Sequence, residues 1–207
     1  AKLRLDPLYL GLMREGCVEG GSTIVDLGCG RGIALALFAT APTLYAEGIW
    51  PPGWPPPPRD VTLVGIERSP RAVKAARLAL ETDASILEQD LAGLELPHAN
   101  AIVLTDVLHY LPVELQNAVI ERAARALLPG GVLLVREADA NAGWRFWMTT
   151  IFERLRALTR GAWRQRFHYR TCAQWSDLLG AHGLVVETKP MSAGTPFGNA
   201  LLIGRRA

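Results

Sequence analysis

Residues 24–32, IVDLGCGRG, constrain this chain more than any other stretch. The run STIVDLG (22–28) is short, apolar and ends in glycine, the pattern of a buried strand. Gly28, Gly30 and Gly32 then permit a tight turn and let a ligand approach the backbone. A helix-like run, GIALALFATAPTLYAEG, follows, with a break predicted at Pro42. The same alternation repeats. Strands are expected at 60–67, 84–90, 101–107 and 132–137, and helices at 69–81 and 112–127. The first of these helices opens with Ser69-Pro70, an N-cap and first-turn pair. In the second, Leu115, Val119, Arg122/Ala123 and Ala126/Leu127 trace one stripe, and PGG ends the helix. Strands that alternate with helices imply an α/β fold, a doubly wound parallel sheet with helices on both faces. The tail departs from this rhythm. TCAQWSDLLGAHG reads as a helix ending near Gly183, and LVVETKP and GNALLIGRR read as two consecutive strands that pair antiparallel.

Polar groups gather where these strands end. Asp26 stands at the carboxyl end of the first, beside a helix N-terminus with free N–H groups. A nucleotide-like ligand suits such a crevice. The dinucleotide pattern GxGxxG is not met, because Ile33 occupies the last glycine position, which disfavours a pyrophosphate. Glu67 ends the second strand and can accept from both hydroxyls of a ribose. Asp90 ends the third and can accept from an adenine amino group. LTDVLHYLP brings Thr105, Asp106, His109 and Tyr110 to the end of the fourth.

Taken together, VDLGCGRG, GIERS, EQDL, LTDVLHYLP and LLPGGVLLVRE, with the antiparallel tail, resemble class I S-adenosylmethionine-dependent methyltransferases. The likeness covers about two thirds of the chain. It implies a Rossmann-like, seven-stranded, mostly parallel sheet with an antiparallel last strand, in one domain over residues 1–207. It implies S-adenosylmethionine as cofactor, with Gly28, Cys29 and Gly30 passing its methionine part near Asp26. It further implies Glu67 on the ribose, Arg68 beside the adenine, Asp90 and the Leu91 amide on the adenine edge, and the Thr105 backbone near the amino group. In this reading the Cys29 side chain merely fills the turn, and its amide is the useful group. His109 is the candidate catalytic base. The stretch IWPPGWPPPPRD and the tail GTPFGNALLIGRR are similar to methyltransferases of bacterial aryl-polyene, xanthomonadin-type, pigment clusters. That implies an aromatic or polyene acyl substrate in secondary metabolism, free or on an acyl carrier protein. Two alternatives stay open: a cofactor-binding protein without methyl transfer, and an NAD(P)-dependent reductase.

Two segments fall outside the pattern. Residues 138–170 interleave aromatics with seven arginines between Trp144 and Arg170. Trp144, Trp147/Met148, Ile151/Phe152, Leu155 and Leu158 form a helical stripe, which is ordinarily core. We expect a helical substrate cap, its aromatics walling an apolar pocket. Tyr110, Arg145, His168, Tyr169 and Arg170 are the candidate substrate residues, with Arg145 or Arg170 meeting an acidic group. The Pro/Trp-rich insertion at 48–60 precedes the second strand, on the edge away from the site. Trp50 and Trp54 there are expected to pack on the domain's underside or on a second subunit, which makes a homodimer a candidate assembly.

Composition excludes some classes. A net charge of +2 gives no electrostatic footprint for nucleic acid. Cys17, Cys29 and Cys172 are odd in number and lack metal-binding spacing, so no metal site is expected and a reducing cytoplasm fits. No secretory signal or membrane span is legible.

Overall fold

The structure, a computed structural model, describes residues 7–159 and 161–207. Seven strands form one sheet: β1 (Thr23–Leu27), β2 (Thr62–Glu67), β3 (Ser85–Glu88), β4 (Ala99–Thr105), β5 (Leu127–Ala138), β6 (Leu184–Pro190) and β7 (Asn199–Arg206). Their order is β3-β2-β1-β4-β5-β7-β6. The pairings among β1 to β5 are parallel, and β7 lies antiparallel between β5 and β6. The helices are α1 (Pro7–Arg14), α2 (Ile33–Ala46), α3 (Pro70–Leu80), α4 (Val113–Ala126), α5 (Trp144–Thr159) and α6 (Cys172–Ala181), with a 3-10 turn at Leu108–Tyr110.

The period-2 alternation of β1 divides the core between two layers. Ile24 joins a cluster with Leu8, Leu35, Phe38 and Val73 of α1 to α3. Val25 and Leu27 join one with Ile120 of α4 and Trp175 and Leu179 of α6. Helix starts are fixed locally. Ser69 Oγ accepts from the Ala72 amide, and Thr171 and Gln174 form a reciprocal capping box.

Three expectations need correction. Helix α2 runs through Pro42 without a break. The proline removes one hydrogen bond near the end of the helix, and burial of Phe38 and Ala41 outweighs that loss. Helix α4 ends at Ala126, before PGG, which lies inside β5 rather than terminating the helix. That strand begins at Leu127 opposite Ala99, and a register shift between Ala99 and Ala101 absorbs the turn. Finally, the expected apolar stripe of α5 is not core. Trp144, Trp147, Leu155 and Leu158 are exposed, while Thr149 and Glu153 are buried.

The proline-rich segment folds onto its own domain. The Trp50 indole N–H donates to Pro55 O, and the Trp50 and Trp54 rings meet edge to face at 6.0 Å. Both pack against the α1–α3 layer. The Gly21 amide donates to Arg59 O, which ties the segment to the amino ends of β1 and β2. It therefore sits on the edge opposite the strand ends that carry the polar groups.

Candidate active site

The glycine turn after β1 is held from two sides. Gly28 has φ 76°, and a Cβ there would stand 2.5 Å from Val107 Cγ2, so only glycine lets the segment after β4 close over the turn. A Cβ on Gly30 would meet nothing within 4 Å, which marks open space above the turn. Glu67 locks the geometry: Oε2 accepts from the Gly30 amide at 3.0 Å and Oε1 from the Ser69 amide at 2.8 Å. A carboxylate has lone pairs to spare for two hydroxyls beyond these. The Gly28 and Cys29 amides, by contrast, both donate to Ile66 O. The expectation that the Cys29 amide serves a ligand is thereby revised. Its thiol, raised above its ordinary pKa by burial and then by Asp26 and Glu67, sits where a Cβ on Gly65 would be 2.8 Å away. Cys29 fills the gap over Gly65.

Asp26 is 1% exposed, and its Oδ1 has no hydrogen-bond partner. Burial, reinforced by the Glu67 charge, pushes its carboxyl up to about 7. An orphaned buried carboxyl beside the glycine turn fits a ligand carrying positive charge. Asp90 accepts from the Ala92 amide and faces Arg68 at 3.8 Å, an exposed pair. The Leu91 carbonyl accepts from Arg122, and Thr105 ends β4 opposite Arg136.

The second half of the site lies at the ends of β4 and β5. Asp106 adopts φ 55°, a left-handed conformation that aspartate tolerates, and its carboxylate pairs with Arg136. Glu137 is the organiser. Its Oε1 accepts from the Val107 amide at 3.0 Å and the Leu108 amide at 2.7 Å, and its Oε2 lies 2.6 Å from His109 Nδ1. His109 is 4% exposed, and its Nε2 has no partner. Burial opposes charge on the ring, but the Glu137 carboxylate, its hydrogen bond, and Asp106 and Glu153 outweigh it and raise the pKa. Tyr169 stacks on the imidazole at 5.4 Å, and Tyr110 and Phe167 complete an aromatic cage. His109 lines a cavity of about 510 Å³ shared with Asp106, Arg136, Phe152, Arg156 and Phe197.

Not every expected substrate residue reaches that cavity. Tyr110 bounds it indirectly, donating to Glu153 at 2.6 Å. Arg145 does not line it: it holds the carbonyls of Ser192 and Thr195 in the β6–β7 loop and lies over the Trp144 ring. Arg170 is spent on Gln116 and Asn117 and lies over Trp175. His168 contributes its amide to His109 O, and Tyr169 its ring. Sequence reading missed Glu137 and Gln116. Gln116 is fully buried and donates to the carbonyls of Leu108, Leu111 and His168, joining the 3-10 turn to the cap segment. Its signal was a polar residue one turn before Ile120, on the apolar face of α4.

Residues 12–189 match the model of a family described as a methyltransferase domain. The chain belongs to that family. Its fold is that of the class I S-adenosylmethionine-dependent methyltransferases, and the glycine turn at Gly30, with Glu67 and the unpartnered Asp26 carboxyl beside it, fits that cofactor. A carboxy-S-adenosyl-L-methionine synthase from Chromohalobacter salexigens is 37% identical over 133 residues, 62% of this chain and 44% of that protein. The chain thus spans about half the length of the curated relatives it matches. An O-methyltransferase family protein from Burkholderia thailandensis superposes with TM-score 0.67 at 21% identity, covering 97% of this chain and 56% of that one. The magnesium protoporphyrin IX methyltransferase of Synechocystis, solved with bound S-adenosylhomocysteine, gives 0.66 at 22%, covering 100% and 83%. These likenesses bear on the fold. Among the described residues, no helix is long and apolar enough to cross a membrane.

Proposed function

We propose that the methyltransferase methylates a small aromatic or polyene acyl compound, held in the cavity beside His109. The observation that carries this reading is the unpartnered Nε2 of His109 at a cavity bounded by Phe152 and Phe197, whose rings lie 5.2 Å apart. When bound, S-adenosylmethionine supplies a methyl group already activated on a sulfonium. Gly30, Glu67 and Asp26 would hold that cofactor, with Asp90 and Arg68 at its adenine end. The acceptor's flat apolar body would lie against the Phe152–Phe197 pair. With Nδ1–H donating to Glu137, neutral His109 keeps a lone pair on Nε2 and takes the proton from an acceptor hydroxyl. Orientation provides the larger share, roughly 7–11 kcal/mol of barrier reduction, and the base adds about 10²–10⁴-fold. Arg136 and Arg156 are paired with Asp106 and Glu153, so the cavity presents little net charge to a neutral ring.

Incubation with S-adenosylmethionine and a panel of aryl and polyene acids, free and carrier-bound, tests the reading by mass spectrometry. A methylated acid together with S-adenosylhomocysteine is expected. Bound cofactor with no turnover on any acid would favour a binding protein. A change in the cofactor itself, with the acid unmethylated, would instead align the chain with the carboxy-S-adenosyl-L-methionine synthases.

A further inference from the structure

Helix α5 is amphipathic in the reverse sense for a core helix. At ~100° per residue, Trp144, Trp147, Ile151, Leu155 and Leu158 share one stripe. Trp144 and Trp147 are each 63% exposed, Leu155 54% and Leu158 58%. The opposite, inward face carries Thr149 and Glu153. Thr149 accepts from the Gly198 amide at 3.1 Å, and Glu153 holds the Tyr110 hydroxyl and Arg156. Rotating the helix to bury its apolar stripe would break these bonds. The stripe is therefore fixed toward the outside. Trp163, 66% exposed, extends the apolar surface beyond the helix end.

The surroundings are basic. Glu153 is the one acidic residue between 144 and 170, against seven arginines. Arg154, Arg164 and Arg166 are exposed near the stripe. A second copy of this face would bring like charges together. An anionic partner fits, and a fluid one needs no shape matched to a convex helix. We propose that the α5 face docks on an anionic lipid surface, with Trp144, Trp147, Leu155, Leu158 and Trp163 in the interfacial layer and the arginines among the headgroups. Phe152 and Arg156 of the same helix line the cavity, so docking would bring the cavity wall to the lipid surface. The inference does not depend on the identity of the methyl acceptor.

Vesicle co-sedimentation of the full chain tests it. Binding is expected to phosphatidylcholine vesicles containing phosphatidylglycerol, weakening as salt shortens the Debye length, with tryptophan emission quenched by brominated lipid. The double variant Trp147→Ser/Leu155→Ser removes two inserted side chains and should bind about 100-fold more weakly. Arg154→Gln/Arg164→Gln should lose about 25-fold on anionic vesicles, at about five-fold per arginine. Leu78→Ser, at a residue 77% exposed on α3, should bind as the parent does. Circular dichroism reports that each variant is folded. The proposal is overturned if the parent ignores anionic vesicles, or if the serine double variant binds them equally. It is also overturned if those substitutions only dissociate a homodimer or release an added acidic carrier protein.

Discussion

Replacing His109 with alanine is expected to lower the methyl-transfer rate by about 10²–10⁴-fold while leaving cofactor affinity unchanged. His109 lines the proposed acceptor cavity, whereas the proposed cofactor site is built from β1, the glycine turn and β2. Steady-state kinetics beside a calorimetric titration separate the two effects. A loss of affinity equal to the loss of rate would mean that the substitution had collapsed the Val107–Tyr110 turn. The pH dependence gives a readout that a packing role would not move. The base works when neutral, and the Glu137 side of the ring raises its pKa. The rate should therefore climb with pH through an inflection above about 6.5, the ordinary histidine value. Glu137→Gln keeps an acceptor oxygen but removes the charge, so the inflection should move to lower pH. The same shift has a stability counterpart. The Glu137–His109 pair contributes fully below the unfolded pKa of His109 and loses its contribution as pH rises through the folded one.

Asp26→Asn is expected to stabilise the free protein at pH 8 and weaken S-adenosylmethionine binding. With a carboxyl pushed from 3.8 up to about 7, the folded state holds a proton that the unfolded state releases. Stability should therefore fall as pH rises from about 4 to about 7 and level off above that, a loss of up to ~4 kcal/mol. That is a large part of the 5–15 kcal/mol that typical domains possess (about 5–15 overall). The asparagine variant should lack this slope in denaturant titrations run from pH 5 to pH 8. The cofactor carries an ammonium and a sulfonium, which favour the ionised carboxylate. Binding near pH 6 should then release a proton, seen as a dependence of the calorimetric heat on buffer ionisation, and Asp26→Asn should abolish the release.

The geometry of the candidate cofactor half of the site was legible because its parts are local. A strand, a glycine turn and an acid at the next strand's end are set by backbone geometry within a few residues, and Gly28, Gly30, Glu67 and Asp26 lie together as their spacing implies. The acceptor half was less so, since it depends on long-range partners. Glu137 meets His109 across 28 positions, and Arg145 meets the β6–β7 loop across about fifty. Nothing in the basic-aromatic pattern of 138–170 distinguishes an arginine that meets substrate from one that ties down loop carbonyls. The apolar stripe of α5 was visible, but its direction was set by Thr149 and Glu153, whose partners lie in other elements. The proline-rich segment could be placed because topology fixes the start of β2 on the far edge.

Calorimetric titration of the parent and of Glu67→Ala, with S-adenosylhomocysteine and with NADPH, tests the central claim most directly. The account predicts one S-adenosylhomocysteine bound per parent chain, no heat from NADPH, and affinity lowered at least about ten-fold in Glu67→Ala, as expected when a charged hydrogen-bonding group is lost. Binding of NADPH, or S-adenosylhomocysteine affinity indifferent to Glu67, would contradict it.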